Sequence, residues 1–180
     1  MELTKWSIDP SHSEIQFKIK HLVITTVTGS FNTFSGEVEA SENFETLNAT
    51  FSAEVNSINT NSEQRDGHLK SPEFFDVEKF PNLTFVSKSI NKKGDGEGEG
   101  EFELVGDLTI KDVTKTISLA TTYEGTATDP WGNVKAGFEV SGKINRHDFG
   151  LVWSVITEAG GALVGDEVKL IGNIQLVKQA

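Results

Sequence analysis

The sequence predicts an all-β protein: an antiparallel, closed up-and-down β-barrel of about eight strands, with a short helical lid near residues 61–75. Three observations carry this. Apolar and polar residues alternate with period two along most of the chain, as in sheets packed on one face and wetted on the other. Several alternating stretches run ten residues or more, which suits a tall barrel better than a sandwich of short strands. Glycines fall on inward positions of the strands (Gly36, Gly106, Gly142, Gly172), where closure needs bends and close approaches.

In chain order, a weak strand over residues 3 to 8 leads into SEIQFKIKH. There Ile15, Phe17, Ile19 and His21 share one face, and Glu14, Gln16, Lys18 and Lys20 the other. Residues 30 to 39 form a second weak strand, and Leu47, Ala49, Phe51, Ala53 and Val55 align in the next. The segment SEQRDGHLKSPEFF then breaks the alternation. It permits one or two helical turns capped by Asn61 or Ser62 and stopped near Pro72, with Arg65, His68 and Leu69 on one side at i, i+3 and i+4.

Strand pattern resumes over residues 82 to 90. The Gly and acid tract NKKGDGEGEGE (91 to 101) has no means of packing and is expected to be a mobile hairpin tip. Phe102, Leu104, Gly106, Leu108 and Ile110 align next, followed by Ile117, Leu119, Thr121 and Tyr123. TDPWGN (128 to 133) reads as a turn. Beyond it Val134, Ala136, Phe138, Val140, Gly142 and Ile144 share a face. Residues 146 to 165 are irregular, glycine-rich and apolar, and Val168, Leu170, Gly172, Ile174 and Leu176 form the last inward row. A ten-residue strand rises about 33 Å, so a tilt near 40° gives a barrel roughly 25 Å tall.

The chain of 180 residues suits a single domain spanning 1–180. No apolar run is long enough to cross a bilayer as a helix, so stable membrane insertion is not expected. The N-terminal segment lacks a basic stretch followed by an apolar one, which reads as cytoplasmic, or as periplasmic if the chain is a trimmed mature form. The absence of cysteine removes disulfides, thiol nucleophiles and thiolate metal sites. A net charge of −11 repels phosphate backbones and anionic lipid surfaces, so nucleic acid is not an expected partner. The four histidines are scattered, no Gly-x-Ser-x-Gly elbow occurs, and GDGEGEGE would repel a phosphate. Neither a metal, nor a cofactor, nor catalysis is expected.

These residues leave a binding role. An inward wall of Phe17, Ile19, Phe34, Phe51, Val55, Phe85, Leu104, Leu108, Ile117, Leu119, Phe138 and Val140 would face a long apolar ligand. Arg65 and His68 either meet the ligand's polar end at the barrel mouth, with Phe74 and Phe75 plugging beneath, or belong to a structural lid. His21 is inward by parity, either a buried neutral histidine or a donor to a ligand oxygen. Arg146 either ties loops together with Asp148 or meets the head group beside Phe149. With so few cations available, a neutral head such as a quinone or alcohol suits the site better than a diphosphate. Two other readings stand beside this one. In the first, twelve phenylalanines and three tryptophans fill the barrel, leaving a structural or stress-related interaction protein. In the second, His68 or His21 acts as base in a lipid-modifying enzyme.

Several stretches together carry a resemblance: WSIDPSHSEIQFKIKH, VTGSFNTFSGEV (27 to 38), SINTNSEQRDGHLKSPEFFDVEKFPNLTF (57 to 85), GDLTIKDVTKTISL (106 to 119), INRHDFG and VGDEVKL. In this order, and nearly end to end, the sequence resembles the YceI-like family, with the Arg-Asp-x-His-Leu…Phe-Phe-Asp block as the specific marker. The resemblance implies a lipocalin-like antiparallel barrel, often dimeric, with a long central tunnel for polyisoprenoid chains. Prenylated quinone precursors, prenols, prenyl diphosphates and other long-chain lipids are the implied ligands, with no enzymatic activity.

Overall fold

The computed structural model describes residues 2–93, 100–153 and 164–179. Among these residues the chain forms eleven strands and one α-helix. They are β1 (Thr4–Ile8), β2 (Glu14–His21), β3 (Thr25–Phe31), β4 (Phe34–Ala40), β5 (Leu47–Glu54), β6 (Ile58–Asn59), α1 (Glu63–Lys70), β7 (Asn82–Lys92), β8 (Glu101–Ile110), β9 (Val113–Thr128), β10 (Val134–Asn145) and β11 (Val164–Lys178). All pairings are antiparallel. Because β1 pairs with both β4 and β11, the ring β1-β4-β5-β7-β8-β9-β10-β11 closes as the eight-stranded barrel that alternation predicts. Closure leaves no edge strand in the ring to seek another chain.

β2, β3 and β6 prolong one end of this ring, hydrogen-bonded in the order β11-β2-β3-β6. The continuous β11 pairs with β1 through Leu176–Lys178 and with β2 through Val164–Asn173. β1 and β2 are thus one barrel strand with a break at Asp9–Ser13, where Pro10 cannot donate to a ladder. The weak strand expected over 30 to 39 is likewise two strands, β3 and β4, parted at Asn32–Thr33. α1 starts on Ser62, whose hydroxyl accepts from the Arg65 amide, and ends at Ser71 beside Pro72. It fills the interval between β6 and β7, which do not pair.

The barrel is hollow because large inward side chains reach over glycines of the adjacent strand. Gly29 lies directly opposite Phe17, and a Cβ there would stand 2.2 Å from Phe17 Cζ. A Cβ on Gly106 would stand 2.4 Å from Phe85 Cζ. Both rings therefore run along the wall and leave the axis clear. The reading in which phenylalanines fill the barrel is overturned by this packing.

One end is sealed. The loop between β4 and β5 folds back through hydrogen bonds of Ser41 with Asn43 and Thr46, and carries Phe44 inward at φ 59°. Phe44 is 2 % exposed, and its ring centroid lies 5.5 Å from Trp6, 5.2 Å from Tyr123 and 5.0 Å from Phe138. Val38, Ala40, Ala136 and Leu176 complete this floor. At the same end, Asp129 accepts from the amides of Trp131 and Asn133, closing the expected turn between β9 and β10. In the tract expected to be a mobile tip, residues 94–99 lie outside the described residues; the flanking ladder runs to Lys92 opposite Phe102.

Candidate functional site

Above the floor lies a cavity of about 630 Å³, open at the end that carries α1. Its walls are overwhelmingly aliphatic and aromatic, supplied by every strand of the ring and by β2 and β3. A site of this size and character is within the usual range for a small-molecule pocket. Of the candidate residues read from the sequence, all but Phe34, Val55 and Phe149 lie on its surface. Those three are buried yet shielded from the space, because they sit where the chain bends. Phe34 opens β4 and packs on Phe51 at 6.1 Å, Val55 follows β5 in a single 3-10 turn, and Phe149 ends the 3-10 turn after β10. Inward parity is not sufficient when a strand kinks.

The mouth is built from α1 and the strand ends facing it. Ser62, Arg65, His68 and Leu69 all reach the opening, as helical spacing requires. Thr60 anchors the helix. Its amide and hydroxyl donate to Asp66 Oδ1 at 2.9 and 2.5 Å, while Arg65 Nε donates to its hydroxyl at 2.7 Å and Nη2 to its carbonyl at 2.5 Å. Arg65 and Asp66 therefore act on Thr60 together, and at least three of the five guanidinium N–H groups of Arg65 point elsewhere. His68 is packed edge-on between Phe74 and Trp153, with centroids 5.0 and 4.8 Å away, and its Nε2 meets Glu73. Phe74 thus stands in an aromatic cluster beside the histidine, and Phe75 sits lower, edge-on to Phe31 at 6.2 Å.

Arg146 is a loop tie, the first of its two sequence readings, but through other partners than the expected Asp148. Its side chain is 2 % exposed, and it holds two stretches of chain by their carbonyls. Nε donates to Gly165 O at 2.8 Å, Nη1 to Leu151 O at 2.6 Å and to Trp153 O at 2.7 Å, and Nη2 to Val164 O at 3.4 Å. Its carboxylate neighbour is Asp166, at 3.9 Å, and not Asp148 as expected; Asp166 also meets His147 at 2.8 Å. Burial pushes the guanidinium pKa down and Asp166 opposes that, and the group remains a cation. With its donors occupied, Arg146 is a structural tie and is not free to receive a ligand's head group. Much of the irregular, glycine-rich and apolar stretch 146 to 165, namely residues 154–163, lies outside the described residues.

His21 lines the cavity at the end of β2, half-buried, opposite Val164 on one side and Thr25 on the other. Several wall residues went unselected although their parity was readable, among them Ile144, Val168 and Leu170. Trp153 and the anchor Thr60 carried no such signal. No group of three or more potential metal ligands occurs among the described residues.

Comparison with known proteins gives this architecture a family. Residues 6–176 match the model of the YceI-like domain. A UPF0312 protein of Staphylococcus aureus (strain MSSA476) is 39% identical over 169 residues, covering 93% of this chain and 94% of that protein. The crystal structure of a Campylobacter jejuni YCEI protein superposes with a TM-score of 0.75 at 31% identity, covering 91% of each chain. A polyisoprenoid binding domain from Saccharophagus degradans, implicated in plant cell wall breakdown, shares the fold at a TM-score of 0.68 and 16% identity, over 97% of this chain and 98% of that one. With its closed ring, its hollow interior and a match over nearly its whole length, the chain belongs to the YceI-like family.

Proposed function

We propose that this protein is a non-catalytic carrier for a long-chain apolar lipid, a polyisoprenoid with a neutral quinone or alcohol head being the preferred ligand. The observation that carries the reading is the cavity itself: about 630 Å³, apolar, floored by Phe44 and open beside α1. An apolar space of this kind stays dry and takes apolar guests. At ~30 Å³ per water-sized group, it encloses roughly twenty carbon-sized groups of a slender chain. Each buried methylene contributes about 0.8 kcal/mol, so ten give about 8 kcal/mol, enough for micromolar affinity with no polar contact. The described binding of the Saccharophagus degradans domain, a protein of the same fold, supports the ligand class.

The neutral head follows from the mouth. Arg146 is committed to four carbonyls, which leaves Arg65, Lys20 and two histidines as the basic groups at the opening among the described residues, and His68 already has Glu73. A diphosphate needs more converging positive charge than that. Among the described residues that line the cavity, no hydroxyl is hydrogen-bonded to a histidine or a carboxylate, which favours carriage over catalysis.

Native mass spectrometry of the purified protein, followed by organic extraction, tests the reading. The expected result is a bound lipid that is lost on extraction and identified as a prenyl quinone or prenol. Recovery of phosphorylated lipids alone overturns the neutral head. Absence of lipid, together with failure to bind a fluorescent fatty probe in detergent, overturns the carrier reading.

A further inference from the structure

The hairpin joining β2 to β3 ends in Leu22, Val23 and Ile24, which are 39, 73 and 79 % exposed. Ile24 N donates to His21 O at 3.2 Å, which makes Leu22 and Val23 the two central residues of a tight turn. Both have positive φ, 53° and 65°. Such a turn calls for Asn-Gly, and a β-branched residue at positive φ is a genuine outlier. The chain thus accepts a poor turn and solvent exposure to present three apolar side chains at its tip.

The stem below the tip is basic on its outer face. Lys18 and Lys20 point outward from β2, both exposed, and opposite them on β3 stand Thr28 and Thr26. On the other flank Lys18 is in register with Lys169, and Lys169 with Lys143. Three lysines abreast on neighbouring strands repel one another. Among the described residues only Lys143 has a carboxylate partner, Glu167 at 3.3 Å. In a chain of net charge −11, this concentration of unpaired cations is anomalous. Two acids of the same rim are engaged elsewhere: Asp166 with His147 and Glu73 with His68.

This hairpin is also a wall of the cavity. His21 and Val27 line the space, with Lys20 at its rim, and His21 lies opposite Val164. Arg146 bonds the carbonyls of both Val164 and Trp153, which brings Val152, 58 % exposed, to the same rim. The same hairpin therefore carries apolar residues both in the lining, at Ile19 and Val27, and at its exposed tip.

We propose that this hairpin docks the barrel mouth on an anionic phospholipid surface, with Leu22, Val23 and Ile24 entering the interface and Lys18, Lys20 and Lys169 meeting the head groups. Apolar side chains carried on a basic element bind membranes in this way, and each lysine near such a surface strengthens binding measurably. The purpose of docking, exchange of a lipid between bilayer and cavity, rests on the carrier reading; the surface geometry does not.

Co-sedimentation with phosphatidylcholine vesicles, with and without phosphatidylglycerol, tests the proposal. The protein should pellet with the anionic vesicles, and lose that binding in high salt or with phosphatidylcholine alone. Lys18→Gln with Lys20→Gln should weaken binding about thirtyfold. Val23→Asn with Ile24→Ser should weaken it about tenfold while folding at least as well, since Asn tolerates positive φ. A wild type left in the supernatant overturns the proposal, as does a tip variant that binds equally. A tip that instead holds two copies together, seen as a dimer by light scattering that the tip variant converts to monomer without any vesicle binding, also overturns it. Fatty-probe binding in detergent reports the cavity separately: vesicle binding without probe binding sinks the carrier reading and leaves docking standing.

Discussion

The two ends of the barrel solve closure by opposite means. The floor is sealed by packing: three aromatic rings meet around Phe44, and Trp6 Nε1 is buried there with no hydrogen-bond partner among the described residues. The mouth is held by hydrogen bonds: Thr60 fastens α1 through Arg65 and Asp66, and Arg146 fastens two loop segments through four carbonyls. An apolar plug is strong and indifferent to direction, and it suits an end that never opens. Directional bonds to irregular backbone fix a frame while leaving a hole in its middle. The difference teaches which end admits the ligand without any bound molecule being seen.

The floor should be the more costly to break. Phe44→Ala removes the ring around which the others pack, and should lower stability by about 4 kcal/mol. Urea denaturation measures that loss. The same variant opens the base of the cavity, so among fatty probes of increasing length the best binder should shift to a longer chain. A loss of stability with no change in length preference would mean that neighbouring rings collapse into the gap.

At the mouth, Arg146→Met should lower stability by about 3 kcal/mol, because it strips donors from four carbonyls. Arg146→Lys should recover little of this, since an ammonium cannot reproduce the fork. Hydrogen exchange sharpens the comparison. Amides of 147–153 and 164–166 should exchange faster in the variant, while those around Phe44 keep their wild-type protection. Equal acceleration at both ends would show that the barrel opens as one unit.

Much of this contrast was readable from the chain, and the gaps follow a rule. Alternation in SEIQFKIKH placed Ile15, Phe17, Ile19 and His21 inward, and all four line the cavity. The pattern works there because β2 is paired on both flanks, which locks parity to one face. A cap at Asn61 or Ser62 and a stop near Pro72 were equally legible, since capping is local chemistry, and the structure takes Ser62. Phe44 was not foreseen, because a lone phenylalanine in SENFETL looks like a polar loop and its inward turn depends on rings from β1, β9 and β10. Arg146 was read as a loop tie, but its partners were missed for a related reason. Its partners are backbone carbonyls five to nineteen residues away, and a carbonyl leaves no mark in a sequence.

Between the two ends lies the break separating β1 from β2, and it offers the smallest of these effects. Asp9 N donates to Gln175 O at 2.8 Å, and its carboxylate sits at the hub of the break. Oδ1 accepts from the Ser11 hydroxyl at 2.7 Å and its amide at 3.0 Å; Oδ2 meets His12 at 2.9 Å and Lys135 Nζ at 3.1 Å. The Ser11 hydroxyl, then His12 and Lys135, hold the Asp9 carboxyl well below the usual carboxylate range, against the opposing pull of burial. A depressed folded-state pKa stabilises the fold above the unfolded value of about 3.9, and that stabilisation fades as pH falls below it. Asp9→Asn should therefore lower the urea midpoint at pH 7, and the gap from wild type should narrow at pH 3. A gap of equal size at both values would show that Asp9 acts through its shape as an acceptor and not through its charge. The seam joining floor to mouth would then owe its strength to geometry alone, as the floor does.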